Sequence, residues 1–195
     1  MKTAQEMREL ETASGISSLH LMEYAGKAFV AVLRESRDIK NKKVLVACYH
    51  GKNGGDGFVV ADILSKEAEV DVLFIGDEEK MSKETAHFFH LVNSNPSVQF
   101  VTLDTVDLDE YDVIVDAILG INIHNYLKPE IASTVKLINE AKGFKVAVDI
   151  PTGYNPDTGA IVGEGVLADL IITFHDMKPC LSQFSDKVKV VAIGL

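Results

Sequence analysis

The segment Val44–Gly57, with the sequence VLVACYHGKNGGDG, joins a short apolar run to a glycine-rich stretch. The run Val44–Cys48 predicts a strand buried on both faces, because it is apolar throughout and does not alternate with polar residues. In Gly51–Gly57 we expect a tight turn whose glycines bring backbone N–H groups close to a ligand. A helix that follows such a turn would add its positive N-terminus, which favours a phosphate group.

The sequence on both sides of this segment shows strand and helix patterns. From Thr3 to Arg37, apolar residues recur at helical spacing with a break at Gly15, which predicts N-terminal helices. After the glycine-rich stretch, helices and strands alternate, which implies parallel strands joined by right-handed crossovers. The further predicted strands are Val70–Ile75, Val98–Thr102, Tyr111–Ile118, Lys145–Ile150, Leu170–Phe174 and Val188–Ile193, and the predicted helices are Phe58–Lys66, Lys80–Val92 and Pro129–Ala141.

These elements predict an α/β fold, namely a three-layer αβα, Rossmann-like domain with a mostly parallel central sheet and N-terminal helices. No repeat or linker interrupts the chain, so residues 1–195 are expected to form a single domain. No apolar run approaches the ~18 residues of a transmembrane helix, and Met1–Glu6 lacks the apolar core of a secretion signal. We therefore expect a cytoplasmic protein, with Cys48 and Cys180 as buried free thiols.

The charge of the chain bears on its partners. The net charge is −10, with 29 acidic against 19 basic residues. This charge repels nucleic acid, and no stripe of Lys and Arg with interleaved aromatic residues is present. Trp is absent and aromatic residues make up 7% of the chain, which disfavours a base-stacking surface. We therefore expect a small-molecule ligand and neither a nucleic acid nor a membrane as partner.

Three polar clusters each follow a predicted strand. The first is Gly51–Gly57, the second runs from Asp116 to Asn122, and the third is Asp149–Gly153. Taken singly, each cluster could be a turn or a strand end without a function. Open α/β sheets, however, bind ligands beyond the carboxyl ends of their strands. All three clusters are therefore expected at one edge of the sheet, around one nucleotide-like ligand.

Other site motifs fit the sequence poorly. The glycine-rich stretch is not a Walker A loop, because Lys52 is followed by Asn53 and not by Ser or Thr. It does not match Gly-x-Gly-x-x-Gly cleanly, which disfavours a hydride-transfer dehydrogenase. A nucleophile elbow for Ser-His-Asp catalysis is missing, and the histidines lack metal-ligand spacing. His50 and His124 fall in the proposed ligand loops, where local hydrogen bonding and catalysis are both compatible with the sequence.

At these motifs the chain resembles the NAD(P)H-hydrate epimerase family, a YjeF N-terminal-like domain that also begins bifunctional bacterial NAD(P)H-hydrate repair enzymes. The resemblance covers nearly the whole chain. Departures from the family pattern are Tyr49–Asn53, where the family has Gly-Pro-Gly-Asn-Asn, Tyr24 in place of Asn, and Thr152 in place of Ser. The matching segments are Met7–Leu10, Leu21–Gly26, Asn53–Gly57, Asp116–Gly120, Val148–Gly153, Thr173–Phe174 and Lys178–Pro179.

The resemblance implies an isomerase that interconverts the R and S epimers of hydrated NADH and NADPH, damaged cofactors with a hydroxyl on the reduced ring. It implies a homodimer, and we expect the N-terminal helices to form its interface. It also implies a partner dehydratase that accepts one epimer, and the 195 residues leave no room for it, so we expect a separate protein. The alternative is a non-catalytic nucleotide-binding or dimerisation module of the same fold. The implied substrate contacts are Lys52, Asn53, Gly54, Gly55, Asp56, Gly120, Ile121, Asn122, Ile123, His124, Asn125, Tyr126 and Asp149, and the implied potassium ligands are Asn53, Asp116 and Thr152.

The chemistry of epimerisation adds a candidate catalytic residue. Inverting the hydroxyl-bearing carbon needs proton transfer, because either the hydroxyl leaves and returns or the ring opens and closes. A carboxylate at the bottom of a crevice suits that task, and we assign it to Asp149. A potassium ion would offset carboxylate charge through hard oxygen ligands. Lys52 could bind a ligand phosphate or fill the cation site in place of potassium. The sequence shows no basic residue that is expected to contact a 2′-phosphate. It therefore does not distinguish hydrated NADPH from hydrated NADH as the preferred substrate.

Overall fold

The computed structural model describes residues 1–123 and 126–195, and these residues form five α-helices and seven strands. In chain order the elements are α1 (Ala4–Ala13), α2 (Ser18–Ser36), β1 (Lys43–Cys48), α3 (Lys52–Leu64), β2 (Glu69–Phe74), α4 (Lys83–Asn93), β3 (Val98–Val101), β4 (Val113–Ala117), α5 (Pro129–Glu140), β5 (Phe144–Val148), β6 (Leu170–Phe174) and β7 (Val188–Val191). Short 3-10 helices lie in the connections between them. The order and type of the predicted elements are confirmed.

The seven strands form one sheet in the order β3-β2-β1-β4-β5-β6-β7, and every neighbouring pair is parallel. The sheet is therefore parallel throughout, where the sequence predicted a mostly parallel one. From β1 the chain moves outward to β3 and then returns to place β4 on the other side of β1. The strand order thus reverses between β1 and β4, and open sheets bind ligands beyond the strand ends at this point.

The sheet is covered on both faces, which explains why the run Val44–Cys48 of the central strand β1 is apolar throughout. In β1, Val44, Val46 and Cys48 pack on the side of α2, α3 and α4, while Leu45 and Ala47 pack on the side of α5. All five are fully buried. The predicted αβα layers are confirmed, and the thiol of Cys48 is free and buried as expected.

The N-terminal region forms two helices, as the break at Gly15 predicted. Gly15 has a φ of +69°, a left-handed conformation that ends α1 before α2 begins. Ser17 caps α2 by accepting a hydrogen bond from the backbone N–H of His20. Gly26, in the middle of α2, lies so close to Val59 of α3 that an added Cβ would stand 2.4 Å from Val59 Cγ1. The two helices can pack closely because Gly26 has no side chain.

The glycine-rich stretch is helical, and the expectation of a turn across Gly51–Gly57 was wrong. Helix α3 begins at Lys52, six residues before the predicted start at Phe58, and Gly51 is its N-cap. A Cβ at Gly54 would stand 1.7 Å from the carbonyl oxygen of Tyr49. Glycine in a helix costs about 1 kcal/mol, but here it lets α3 lie directly against the end of β1. Tertiary packing overrides the local propensity for a turn.

Most other element ends differ from the sequence predictions by one to three residues. Helix α4, for example, begins at Lys83, because Glu78–Lys80 forms a separate 3-10 turn. Strand β4 begins at Val113, after Tyr111, whose hydroxyl donates a hydrogen bond of 2.6 Å to Asp71 Oδ2 in the interior. Within residues 1–123 and 126–195, no helix combines the length and apolar character needed to cross a membrane.

Candidate functional site

A cavity of about 420 Å³ lies beyond the carboxyl ends of β1, β4 and β5, where the strand order reverses. Its floor is formed by residues at these strand ends and at the start of α3. Helices α1 and α2 cover it, and Arg8 of α1 donates a hydrogen bond of 3.4 Å to the carbonyl oxygen of Ile121. The three polar clusters identified in the sequence therefore surround one cavity. This agrees with the rule that open α/β sheets bind ligands beyond the carboxyl ends of their strands.

Most of the proposed substrate contacts lie at this cavity. Gly54 and Gly55 are buried in the packing of α3 and do not line the cavity. Ile123 is half-buried and Tyr126 is 70% exposed, and neither lines the cavity. His124 and Asn125 lie outside the described residues. The proposed contacts that line the cavity are Lys52, Asn53, Asp56, Gly120, Ile121, Asn122 and Asp149.

Asp149, the proposed catalytic residue, is held in one orientation. Its backbone has a φ of +65°, an uncommon conformation for a residue with a side chain. Oδ1 accepts hydrogen bonds from the Thr173 hydroxyl at 2.9 Å, from the Phe174 N–H at 3.1 Å and from the Lys178 ammonium. Among the described residues, no group donates to Oδ2, and Asp149 lines the cavity. One oxygen is therefore fixed by the protein and the other is available to a ligand.

Lys178 supplies the charge that opposes Asp149. Its side chain is 1% exposed, and that of Asp149 is 12% exposed. Besides Asp149, the ammonium donates to the Thr173 hydroxyl and to the Phe174 carbonyl oxygen, both at 2.9 Å. All three protons of the ammonium are thus used within the protein, and the ammonium offsets the buried carboxylate charge.

Asp116 and Thr152 join the second and third clusters beneath the cavity. Asp116 is 1% exposed, and its Oδ2 accepts a hydrogen bond from the Thr152 N–H at 2.7 Å. Its Oδ1 accepts from the Thr152 hydroxyl, also at 2.7 Å, and the same hydroxyl accepts from the Leu119 N–H at 2.9 Å. Burial raises the pKa of Asp116 to about 6, although the hydrogen bonds from Thr152 and Ile118 act in the opposite direction.

Asn53 brings a third polar side chain to this region. It is 9% exposed, and in the described part of the chain its Nδ2 has no hydrogen-bond partner. Its Oδ1 lies against Gly120, where an added Cβ would stand 3.0 Å from that oxygen. The described residues give Asp116 no ion-pair partner. Amide, carboxylate and hydroxyl oxygens together suit a hard monovalent cation, so the donor set fits the implied potassium site.

Two other predicted residues have local partners. Lys52 pairs with Glu11 of α1, with 3.0 Å between Nζ and Oε2, and not with Asp116. This pairing gives no support to the alternative that Lys52 fills the cation site, which stays a prediction. His50 accepts a hydrogen bond from the Asp77 N–H at 3.2 Å, and burial lowers its pKa, with Lys128 contributing. This favours local hydrogen bonding by a neutral His50.

Several residues at the cavity have no role predicted from the sequence. Lys178 appeared only as part of a family motif, and Arg8, Glu11 and Phe174 were not considered as site residues. The rule that ligands bind beyond the carboxyl ends of the strands could have indicated Phe174 and Lys178. Phe174 ends β6 and Lys178 follows it, and the carboxyl end of β6 lies beside that of β5. Arg8 and Glu11 carried no such signal, since the position of α1 over the sheet depends on tertiary packing.

Comparison with known proteins gives similarity over most of the chain. The family described as YjeF-related protein N-terminus matches residues 18–180. The NAD(P)H-hydrate epimerase of Oenococcus oeni is 38% identical over 187 residues, covering 93% of this chain and 88% of that protein. The NAD(P)H-hydrate epimerase of Nitrosopumilus maritimus is 34% identical over 191 residues, covering 94% and 89%.

A longer relative and a solved structure add to this similarity. The bifunctional NAD(P)H-hydrate repair enzyme Nnr of Methanothermobacter thermautotrophicus is 39% identical over 178 residues, which are 84% of this chain. The match spans only 33% of that longer enzyme. The crystal structure of yeast ynu0 has the same fold, with a TM-score of 0.85, 22% identity, and coverage of 98% of this chain and 88% of the yeast chain.

Proposed function

Because the chain belongs to the family of YjeF-related protein N-termini, we propose that it is an NAD(P)H-hydrate epimerase, an isomerase in the repair of nicotinamide cofactors. It interconverts the R and S epimers of hydrated NADH or NADPH. The identity of 34–38% to two epimerases, each covered over nearly nine-tenths of its length, supports this activity. The observation that carries the proposal is the single cavity at the strand-order reversal, with the free oxygen of Asp149 at its floor.

The cavity suits one part of a dinucleotide. Its volume of about 420 Å³ falls within the range of roughly 300–1,000 Å³ found for ligand sites. The N-terminus of α3, at Lys52 and Asn53, presents backbone N–H groups and a positive helix dipole to a phosphate. We place a phosphate of the substrate there and the hydrated ring at Asp149, with Gly120, Ile121 and Asn122 also lining the cavity.

Asp149 moves a proton at the reacting ring. Epimerisation requires a group that takes a proton from the substrate and returns it. Oδ1 of Asp149 is occupied by Thr173, Phe174 and Lys178, so Oδ2 is the oxygen that meets the substrate. Lys178 is a positioning residue, because its three protons are used within the protein and do not reach the ligand.

Asn53, Asp116 and Thr152 would hold a potassium ion. The ion would offset the charge of the buried Asp116 carboxylate and join α3 to the loops after β4 and β5. The Oδ1 oxygen of Asn53 beside Gly120 and the absence of an ion-pair partner for Asp116 in the described residues support this assignment. The chemistry that the ion supplies is electrostatic, namely the stabilisation of negative charge at the floor of the site.

Three further properties complete the proposal. The enzyme is cytoplasmic and forms a homodimer through the N-terminal helices, where Tyr24 of α2 is 41% exposed. A dehydratase acts in the same pathway and uses one of the two epimers. Light scattering tests the dimer, and a monomeric mass at all concentrations would contradict it.

A coupled assay tests the proposed activity. A dehydratase specific for one epimer is added to an equilibrated mixture of R and S hydrated NADH, and recovery of NADH is followed by absorbance. Alone, the dehydratase rapidly converts its own epimer and then slows to the rate of spontaneous epimerisation. With this protein present, the mixture is converted to completion in one phase. An unchanged slow phase would favour the non-catalytic nucleotide-binding or dimerisation module.

A further inference from the structure

We propose that Asp56 is a second catalytic residue of this cavity and donates a proton to the substrate while Asp149 accepts one. The inference rests on the proposed epimerase function and assigns a group that this reaction needs. Asp56 lies in the second turn of α3 and lines the same cavity as Asp149. Because both carboxyl groups line this one cavity, a ligand bound there can meet both of them.

The surroundings of the two carboxyl groups differ. Asp149 receives three hydrogen bonds on Oδ1, one of them from the Lys178 ammonium. For Asp56, no donor is found in the described part of the chain, and its oxygens are open to the cavity. Hydrogen bonds and an ammonium stabilise a carboxylate anion, whereas a half-buried carboxyl without donors favours the neutral form. Asp149 is therefore suited to accept a proton and Asp56 to donate one.

The charges around Asp56 favour the same assignment. Burial raises the pKa of Asp56 well above its usual range, and the negative charge of Asp149 raises it further, as does Glu11 of α1. Lys52 on α3 and Lys178 after β6 act in the opposite direction. Both ammonium groups, however, are engaged in ion pairs, Lys52 with Glu11 and Lys178 with Asp149. Two carboxyl groups in unlike environments thus divide into an acid and a base.

With Asp149 as base and Asp56 as acid, epimerisation can proceed by opening and closing the ring. Asp149 takes the proton of the ring hydroxyl while Asp56 gives its proton to the adjacent ring nitrogen. The bond between that nitrogen and the hydroxyl-bearing carbon breaks, its electron pair goes to the nitrogen, and the carbon becomes an aldehyde. Rotation about the next carbon–carbon bond exposes the other face of the aldehyde. On closure, the nitrogen attacks the aldehyde, Asp56 recovers its proton and Asp149 returns its proton to the oxygen.

The test compares Asp56→Asn with the wild type and with Asp62→Asn, a matched control. Asp62 lies on the same helix outside the cavity, where it accepts a hydrogen bond from Asn95. The epimerisation rate of hydrated NADH is measured against pH, with the spontaneous rate subtracted. We expect Asp56→Asn to lower kcat by about 100-fold or more, with KM changed by less than about threefold. Asp62→Asn should behave like the wild type.

The pH profile separates a catalytic role from a structural one. The wild-type rate should fall as the pH rises through the raised pKa of Asp56, because the protonated form is the donor. The residual rate of Asp56→Asn should lack this fall. Two results would overturn the role of Asp56 and leave the epimerase function standing, provided that the wild type accelerates epimerisation. In the first, Asp56→Asn keeps the wild-type kcat. In the second, its KM rises by as large a factor as its kcat falls. A wild-type rate that does not fall with pH overturns the role of Asp56 as well, even if the variant does not fold. A wild type without activity contradicts the proposed function itself.

Discussion

The ammonium of Lys178 donates to Oδ1 of Asp149 at the floor of the cavity, and Oδ2 of the same carboxylate is left to the ligand. The other two ammonium protons go to the Thr173 hydroxyl and the Phe174 carbonyl. Strand β6 therefore supplies the groups that orient a carboxylate at the end of β5. The ion pair between Lys178 and Asp149 therefore has two effects. It offsets a buried charge in the folded protein, and it orients the carboxylate that is proposed to react.

Replacing Lys178 should cost both stability and activity. In Lys178→Met, the carboxylate of Asp149 loses its cation inside the protein, and breaking a buried pair in this way costs about 3 kcal/mol of unfolding free energy. Lys52→Met is the matched control, since its partner is Glu11 in a partly exposed pair whose loss should cost less than about 1 kcal/mol. Urea unfolding of both variants measures the difference. Equal losses of unfolding free energy in the two variants would contradict a larger contribution from the buried pair of Lys178 and Asp149.

Helix α3 can reach the end of β1 only if Gly54 has no side chain. An added Cβ would stand 1.7 Å from the carbonyl oxygen of Tyr49, which is backbone and cannot move aside locally. We expect Gly54→Ala to lose about 3 kcal/mol or more of unfolding free energy, or not to fold. Gly51→Ala is the control, because nothing lies within 4 Å of its added Cβ. Thermal unfolding that is unchanged in Gly54→Ala would contradict the close packing.

Potassium should stabilise the folded protein through the Asn53, Asp116 and Thr152 site. A gain of about 1 kcal/mol corresponds to a rise of about 2–4 °C in Tm for a chain of this size. Melting in potassium chloride is compared with melting in choline chloride at the same ionic strength, which separates binding from general screening. The rise should disappear in Asp116→Asn. A similar rise in that variant would show that the ion acts elsewhere.

The hydroxyl of Tyr111 satisfies the buried carboxylate of Asp71, with 2.6 Å between the two oxygens. Tyr111→Phe removes this donor and leaves the carboxylate without it, which should cost about 1–3 kcal/mol. Tyr154→Phe is the control, because Tyr154 is equally buried and its hydroxyl makes no hydrogen bond within the described residues. Chemical denaturation of both variants checks the prediction. A larger loss of unfolding free energy in Tyr154→Phe than in Tyr111→Phe would contradict a stabilising role for the hydrogen bond between Tyr111 and Asp71.

The layered fold could be predicted because its strands are buried on both faces. Runs such as Val44–Cys48 and Val113–Val115 are apolar throughout, and this pattern is local in the sequence. The start of α3 could not be predicted in the same way, because Gly54, Gly55 and Gly57 have low helix propensity. What makes them helical is the close approach of β1, a contact that appears only when the chain is folded.

The position of the candidate site followed from a general rule, but its internal contacts did not. Asp116 and Asp149 end neighbouring predicted strands, so their proximity to one edge could be predicted. The Thr152 contacts that fix Asp116 depend on how the loop after β5 folds back over β4. The pairing of Lys178 with Asp149 depends on the alignment of β6 beside β5, which a single lysine after a strand does not indicate.

The most direct measurement is the epimerisation of purified R and S hydrated NADH, followed by chromatography, with wild type beside Asp149→Ala. The wild type should interconvert the two epimers well above the spontaneous rate. Asp149→Ala should lose about 100-fold or more of that acceleration, because the oxygen that accepts the substrate proton is gone. A wild type no faster than the spontaneous reaction, with potassium present or absent, would contradict the proposed function. An active Asp149→Ala would contradict the proposed catalytic residue.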